Sequence, residues 1–150
     1  MERKRIFKFL PLLLFAAGAM SVASCSSDDE ETHNDTSLIG SSWKLYGFGS
    51  TNNNEIRKAQ PDDRDFSYII HFQEDGAVSG TTSDNEFSGE YYVEGSTISI
   101  KNVGSTKMGE IGDGYEYFSA LLSCSQYFVS NNRLMLYYNN NLNFLLFNRQ

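Results

Sequence analysis

The chain has 150 residues, with 12 basic against 19 acidic side chains and a net charge of −7. An acidic balance disfavours phosphate backbones, which excludes nucleic acid from the expected partners. The length suits one domain rather than several.

The first stretch is a basic head, Glu2-Arg3-Lys4-Arg5 and Lys8, followed by an apolar run over residues 9–19. That run is too short for a spanning helix, which needs about 20 apolar residues. A basic head, a short apolar centre and a small-residue exit are the marks of a secretory signal peptide, assigned here to residues 1–24. An ordinary cleavage site ends in Ala-x-Ala. Val22-Ala23-Ser24-Cys25 instead resembles the bacterial lipobox, whose cysteine is acylated and becomes the first mature residue. The alternative is an ordinary signal peptide with an incidental cysteine. Acyl chains on Cys25 would tether the protein to a membrane without spanning it, since each buried methylene contributes about 0.8 kcal/mol. Loss of residues 1–24 removes four basic residues and one acid and leaves a net charge of −10. With Cys25 acylated, Cys124 is the one free thiol and no internal disulfide is possible.

Residues 25–36 are expected to form an acidic flexible tether. Within it, Ser27-Asp28-Asp29-Glu30-Glu31 resembles the export signal that directs certain outer-membrane lipoproteins to the outer cell surface. A like-charge run also stays solvated and extended, holding a domain off the membrane. Both readings can hold at once. The expected location is the outer membrane, lipid-anchored and facing the exterior, with the periplasmic face as the alternative.

Over residues 37–150 the apolar period is two. Trp43 and Leu45 begin it. Phe66, Tyr68, Ile70 and Phe72 follow, and Asp75-Gly76 predicts a tight hairpin into residues 77–82. Phe87, Gly89, Tyr91 and Val93 then alternate with Ser88, Glu90, Tyr92 and Glu94, and Ile98 pairs with Ile100. Residues 115–122 break the pattern, because Tyr117 with Leu121 and Phe118 with Leu122 are four apart; a short helix is predicted. Leu134 with Leu136, and Leu142 with Phe144 and Leu146, complete the series. Turn residues at Gly95, Asn131-Asn132 and Asn139 to Asn141 separate these runs. About eight short strands with one helix predict a mainly β fold, a closed or nearly closed antiparallel barrel.

The order of short motifs along this domain resembles the META (HslJ-like) family. Leu38-Ile39-Gly40-Ser41-Ser42-Trp43-Lys44-Leu45 matches its opening, and Phe72 to Gly80, with Asp75, Gly76 and Gly80, matches its hairpin. Asn85 to Tyr91, with Asn85, Gly89 and Tyr91, and Thr106 with Met108 follow in order, and Asn132 to Leu136 closes the series. The resemblance implies a small lipocalin-like barrel, often on secreted or envelope proteins, and no established reaction. Many members carry a cysteine just before the Asn and another two residues after the Met. Here those positions are Asp84 and Glu110. Each motif residue also has a structural reading: glycines at bends or close crossings, Trp43 and Tyr91 as core fillers, Asn85 and Thr106 bonding loop backbone.

No catalytic constellation is legible. His71 is the one histidine of the domain and projects from the polar side of its strand; Cys124 reads as a small buried hydrophobe. Residues 84–95 faintly match the start of a calcium loop, but Gly95 stands where its last ligand belongs. Glu110, Asp113 and Glu116 could gather around a cation, though an exposed acidic loop is the simpler reading. The expectation is a non-enzyme with no metal or cofactor. Two functions remain: an interaction or envelope-stability protein with a filled interior, or a binder of a small molecule or glycan. The binder would use a barrel mouth or the aromatic set Tyr46, Phe48, Tyr92, Tyr115 and Tyr117.

Overall fold

The protein is described by a computed structural model over residues 38–150. The expected signal peptide, Cys25 and the acids Asp28, Asp29, Glu30 and Glu31 with Ser27 lie outside the described residues. In chain order the elements are β1 (Ser41–Ser50), β2 (Ile56–Lys58), β3 (Ile69–Phe72), β4 (Ala77–Thr81), β5 (Glu86–Glu94) and β6 (Thr97–Ser105). Then come α1 (Gly114–Leu122), β7 (Gln126–Ser130), β8 (Arg133–Tyr138) and β9 (Asn143–Arg149). Among the described residues no helix is long and apolar enough to cross a membrane.

All pairings are antiparallel, and β9 returns to β1, so the sheet closes into a ring. The ring itself runs through β1 and β3 to β9. The short β2 lies outside that circuit, on the second half of the β1 edge whose first half pairs with β3. The fold is therefore mainly β and antiparallel with one short helix, as expected. Its thinnest seam is β6–β7, where the ladder is reduced to Thr97↔Gln126. Helix α1 packs against β6, β8 and β9. It buries Tyr117, Ala120 and Leu121, one stripe at helical spacing.

Alternation explains most of the core. Along β5, Phe87 and Tyr91 are buried while Glu86, Ser88, Glu90 and Tyr92 are exposed. In β1, Trp43 and Leu45 face inward, and a bulge between Leu45 and Gly47 shifts the phase by one residue. Phe48 consequently turns inward opposite Leu145. The interior is filled: Trp43, Phe72, Tyr117, Leu136 and Phe147 are among its fully buried side chains. Aromatic edges interlock there, with Tyr68 on Tyr117 at 5.4 Å and Phe72 on Tyr91 at 5.0 Å between ring centres.

Several expectations are corrected. Phe66 and Tyr68 do not extend the strand that holds Ile70 and Phe72. Phe66 is 59% exposed, and Tyr68, buried at φ +58°, sits in the left-handed region that bulky residues rarely adopt. The reason is long-range: Lys44 Nζ donates to the carbonyls of Arg64 (2.6 Å), Asp65 (3.2 Å) and Ser67, gathering this stretch into a loop. Burial lowers the pKa of Lys44, with Asp65 opposing the shift. In β9 the phase is also different. Leu134 faces Phe147 and Leu136 faces Leu145, so these are the inward pair. Phe144 and Leu146 are buried on the opposite side, and Leu142 lies in the preceding turn, 44% exposed. Of the proposed surface aromatics, Tyr46, Tyr92 and Tyr115 are exposed whereas Phe48 and Tyr117 belong to the core.

Cys124 is buried beside α1, and desolvation pushes its thiol up to about 12. A thiol so rarely ionised is a poor nucleophile. In the native protein Cys124 should fail to react with a disulfide reagent over the time in which urea-unfolded protein reacts completely.

Candidate functional site

Two polar constellations stand out, one buried and one open. The buried one ties the β4–β5 turn to the loop after β6. Asn85 is buried and uses its whole amide: Nδ2 donates to Met108 O (3.0 Å) and Glu110 Oε1 (2.6 Å). Its Oδ1 accepts from Thr106 Oγ1 (2.9 Å) and the Met108 N–H (2.7 Å). Two donors and two lone pairs are all such a side chain has. Glu110 Oε1 also accepts from Thr82 Oγ1 at 2.5 Å, and Oε2 accepts from Ser83 Oγ and, at 3.4 Å, from the Asp84 N–H. Burial works against the charge on Glu110, but these hydrogen bonds outweigh it and hold the carboxyl below its usual range.

Glu110, Asp113 and Glu116 do not gather around a common point. Asp113 and Glu116 both receive the Arg57 guanidinium, at 2.7 and 2.6 Å, while Glu110 belongs to the Asn85 cluster. Among the described residues no group of three His, Cys, Asp or Glu is placed to hold a metal ion. Arg57 also lies over the Phe48 ring at 4.5 Å and so clips β2 to the start of α1.

The open constellation is a groove of about 570 Å³ on β3, β4, β5 and β6. Strand register aligns Ser42, His71, Ser79, Ser88 and Gly104 in one row across the sheet. Residues opposite one another in a ladder share a face, and the buried Phe87 beside Ser88 marks this row as outward. Ser42 Oγ lies 2.6 Å from His71 Nδ1. Thr81, Glu86, Ser105 and Thr106 complete the polar lining.

The remaining motif residues take structural places. Gly40 turns the chain into β1 at φ +69°. Trp43 donates from Nε1 to Ser41 Oγ at 2.6 Å, and Arg149 lies 5.2 Å from its ring. Asp75 and Gly76 form the β3–β4 turn, where the Asp75 carboxylate accepts from the Ala77 N–H at 3.0 Å. At Gly80 a Cβ would lie 2.1 Å from Ile69 O and 2.7 Å from the Phe87 ring, so only glycine fits. Gly89 sits at the β5–β6 bulge, Tyr91 donates to Gln73 O at 2.8 Å, and Met108 is exposed.

A sequence model of the META domain matches residues 36–150. The chain belongs to the META-domain family. No curated protein sequence matches it. Among solved structures, this META domain is similar to an NMR structure of a protein from Burkholderia xenovorans, at 20% identity and a TM-score of 0.62. The alignment covers 77% of this chain and 85% of that one. It is also similar to the crystal structure of a DUF4847 family protein from Bacteroides vulgatus, at 18% identity and a TM-score of 0.59, covering 76% and 95% of the two chains. At such identities the likeness concerns the fold. Within that fold, the two positions where many META domains carry cysteine lie side by side, since the Asp84 N–H reaches Glu110 Oε2. A polar clamp occupies the place. Glu110, Thr82 and Ser83 were absent from the expected structural set, although Glu110 stands at one of those two cysteine positions.

Proposed function

We propose that this META-domain protein is a membrane-anchored, non-catalytic envelope lipoprotein that meets its partner through its outer face. The observation that carries the reading is the filled interior, with Trp43, Phe72, Leu136 and Phe147 closing the space a lipocalin-type ligand would need. Polar groups free to engage a partner then lie outside the ring, in the groove and on the exposed strand faces. The attachment reading rests on Val22-Ala23-Ser24-Cys25 behind an apolar run, and the surface-facing reading on Asp28, Asp29, Glu30 and Glu31.

Both parts have tests. Cys25→Ala should leave a protein that no longer partitions into the detergent phase and takes up no labelled fatty acid; labelled mutant protein would overturn the anchor. Changing Asp28, Asp29, Glu30 and Glu31 to Ser should preserve lipidation and folding yet protect the domain from an impermeant protease on intact cells. A tether's reach depends on its length and stiffness, so a mere spacer would show equal digestion of wild type and variant.

A further inference from the structure

We propose that the outward groove over β3–β6 is a binding site for a neutral, hydroxyl-rich ligand, a saccharide. The inference rests on the reading that the outer face meets the partner, and not on the anchor. The groove's volume, about 570 Å³, falls within the range of small-molecule sites.

Its lining selects by charge. It contains one carboxylate, Glu86, and neither Lys nor Arg, which disfavours phosphates, sulfates and acidic sugars. A single carboxylate with one imidazole is also too few ligands to hold a metal ion, in keeping with the lack of metal-binding groups among the described residues. An apolar ligand would find the Ser79 and Ser88 hydroxyls in its way and leave them desolvated. An uncharged polyol remains. A carboxylate accepts from two hydroxyls, serine donates and accepts, and His71, engaged by Ser42 at Nδ1, keeps its second ring nitrogen for a ligand. At the Thr81 end stands Phe66, held there because Thr81 Oγ1 donates to its carbonyl. Its exposed ring has the Arg64 guanidinium 5.8 Å from its centre.

Gly104 supports the same reading. Its φ is not positive, so the backbone there does not require glycine, and a Cβ would meet nothing within 4 Å. The missing side chain keeps the groove open opposite Ser88. Filling it is therefore a clean perturbation.

The full-length protein in detergent is applied to a printed array of neutral and acidic glycans. Retention on neutral glycans is expected, abolished by Gly104→Phe and weakened about tenfold or more by Glu86→Ala, as for a lost charged hydrogen bond. Glu86 is exposed, so its variant decides the matter even if Gly104→Phe disturbs strand pairing. Retention on no neutral glycan, retention on acidic glycans alone, or unchanged binding by the folded variants would overturn the proposal. Failure here with intact fatty-acid labelling at Cys25 would remove the ligand and leave the anchor standing.

Discussion

Trp43→Ala should lower the unfolding free energy by about 3–5 kcal/mol, the usual cost of deleting a large buried aromatic side chain. Trp43 is fully buried on β1, and β1 is the strand through which the ring closes, pairing with β3 on one edge and β9 on the other. The substitution would open a cavity beside both ladders and leave Ser41 Oγ without its indole donor. The surrounding strands cannot collapse into that space without breaking register. Urea unfolding at 25 °C checks the value. Tyr92→Ala, on the exposed side of β5, should change it by no more than about 0.5 kcal/mol. A Trp43 cost near that of Tyr92 would contradict the filled interior.

Asn85→Ala should cost about 2–4 kcal/mol, because Asn85 is itself buried and the change removes all four of its side-chain hydrogen bonds. The Met108 N–H and carbonyl, the Thr106 hydroxyl and Glu110 each lose a bond together. Asn85→Asp should be no milder, since it sets a second carboxylate beside Glu110. The same cluster gives stability a pH dependence. The folded-state pKa of Glu110 is depressed, so its contribution is fully present above the unfolded-state value and is lost as pH falls through the folded value. Acidification below about pH 4.3, the ordinary glutamate value, should therefore remove stability from the wild type. Glu110→Gln should lose stability at neutral pH and flatten that part of the profile. Unfolding midpoints measured from pH 7 to pH 3 decide it, and parallel profiles for the two proteins would rule the clamp out.

Where the chain was legible, one strand face met the core and the other met water. The alternation of Phe87 and Tyr91 with Ser88, Glu90 and Tyr92 places β5 directly, and the Asp75-Gly76 turn fixes the neighbouring hairpin. Leu142 to Phe147 was not legible in the same way. With both faces of β9 buried, its apolar run has no period, and only pairing with Leu134 and Leu136 selects Leu145 and Phe147 as the inward residues. The bulge after Leu45 hides Phe48 in the core for a related reason: one extra residue inverts every later side chain. Residues 66–68 alternate like a strand, yet Lys44, twenty and more residues away, gathers the carbonyls of Arg64, Asp65 and Ser67 into a loop. β2 gave no signal, since all three of its residues are exposed.

The candidate site divides similarly. Asn85 and Thr106 could be read as loop-binding residues because short polar side chains bond backbone nearby. The groove could not, because its row of Ser42, His71, Ser79, Ser88 and Gly104 comes from five strands and exists only through register. His71 on a polar strand face was visible; its company was not.

We propose that lipid on Cys25 holds this META domain at a membrane. Mass spectrometry of the mature protein's N-terminal peptide tests it most directly. The expected peptide begins at Cys25 and carries acyl chains. An unmodified Cys25, or a chain that begins elsewhere, would contradict it.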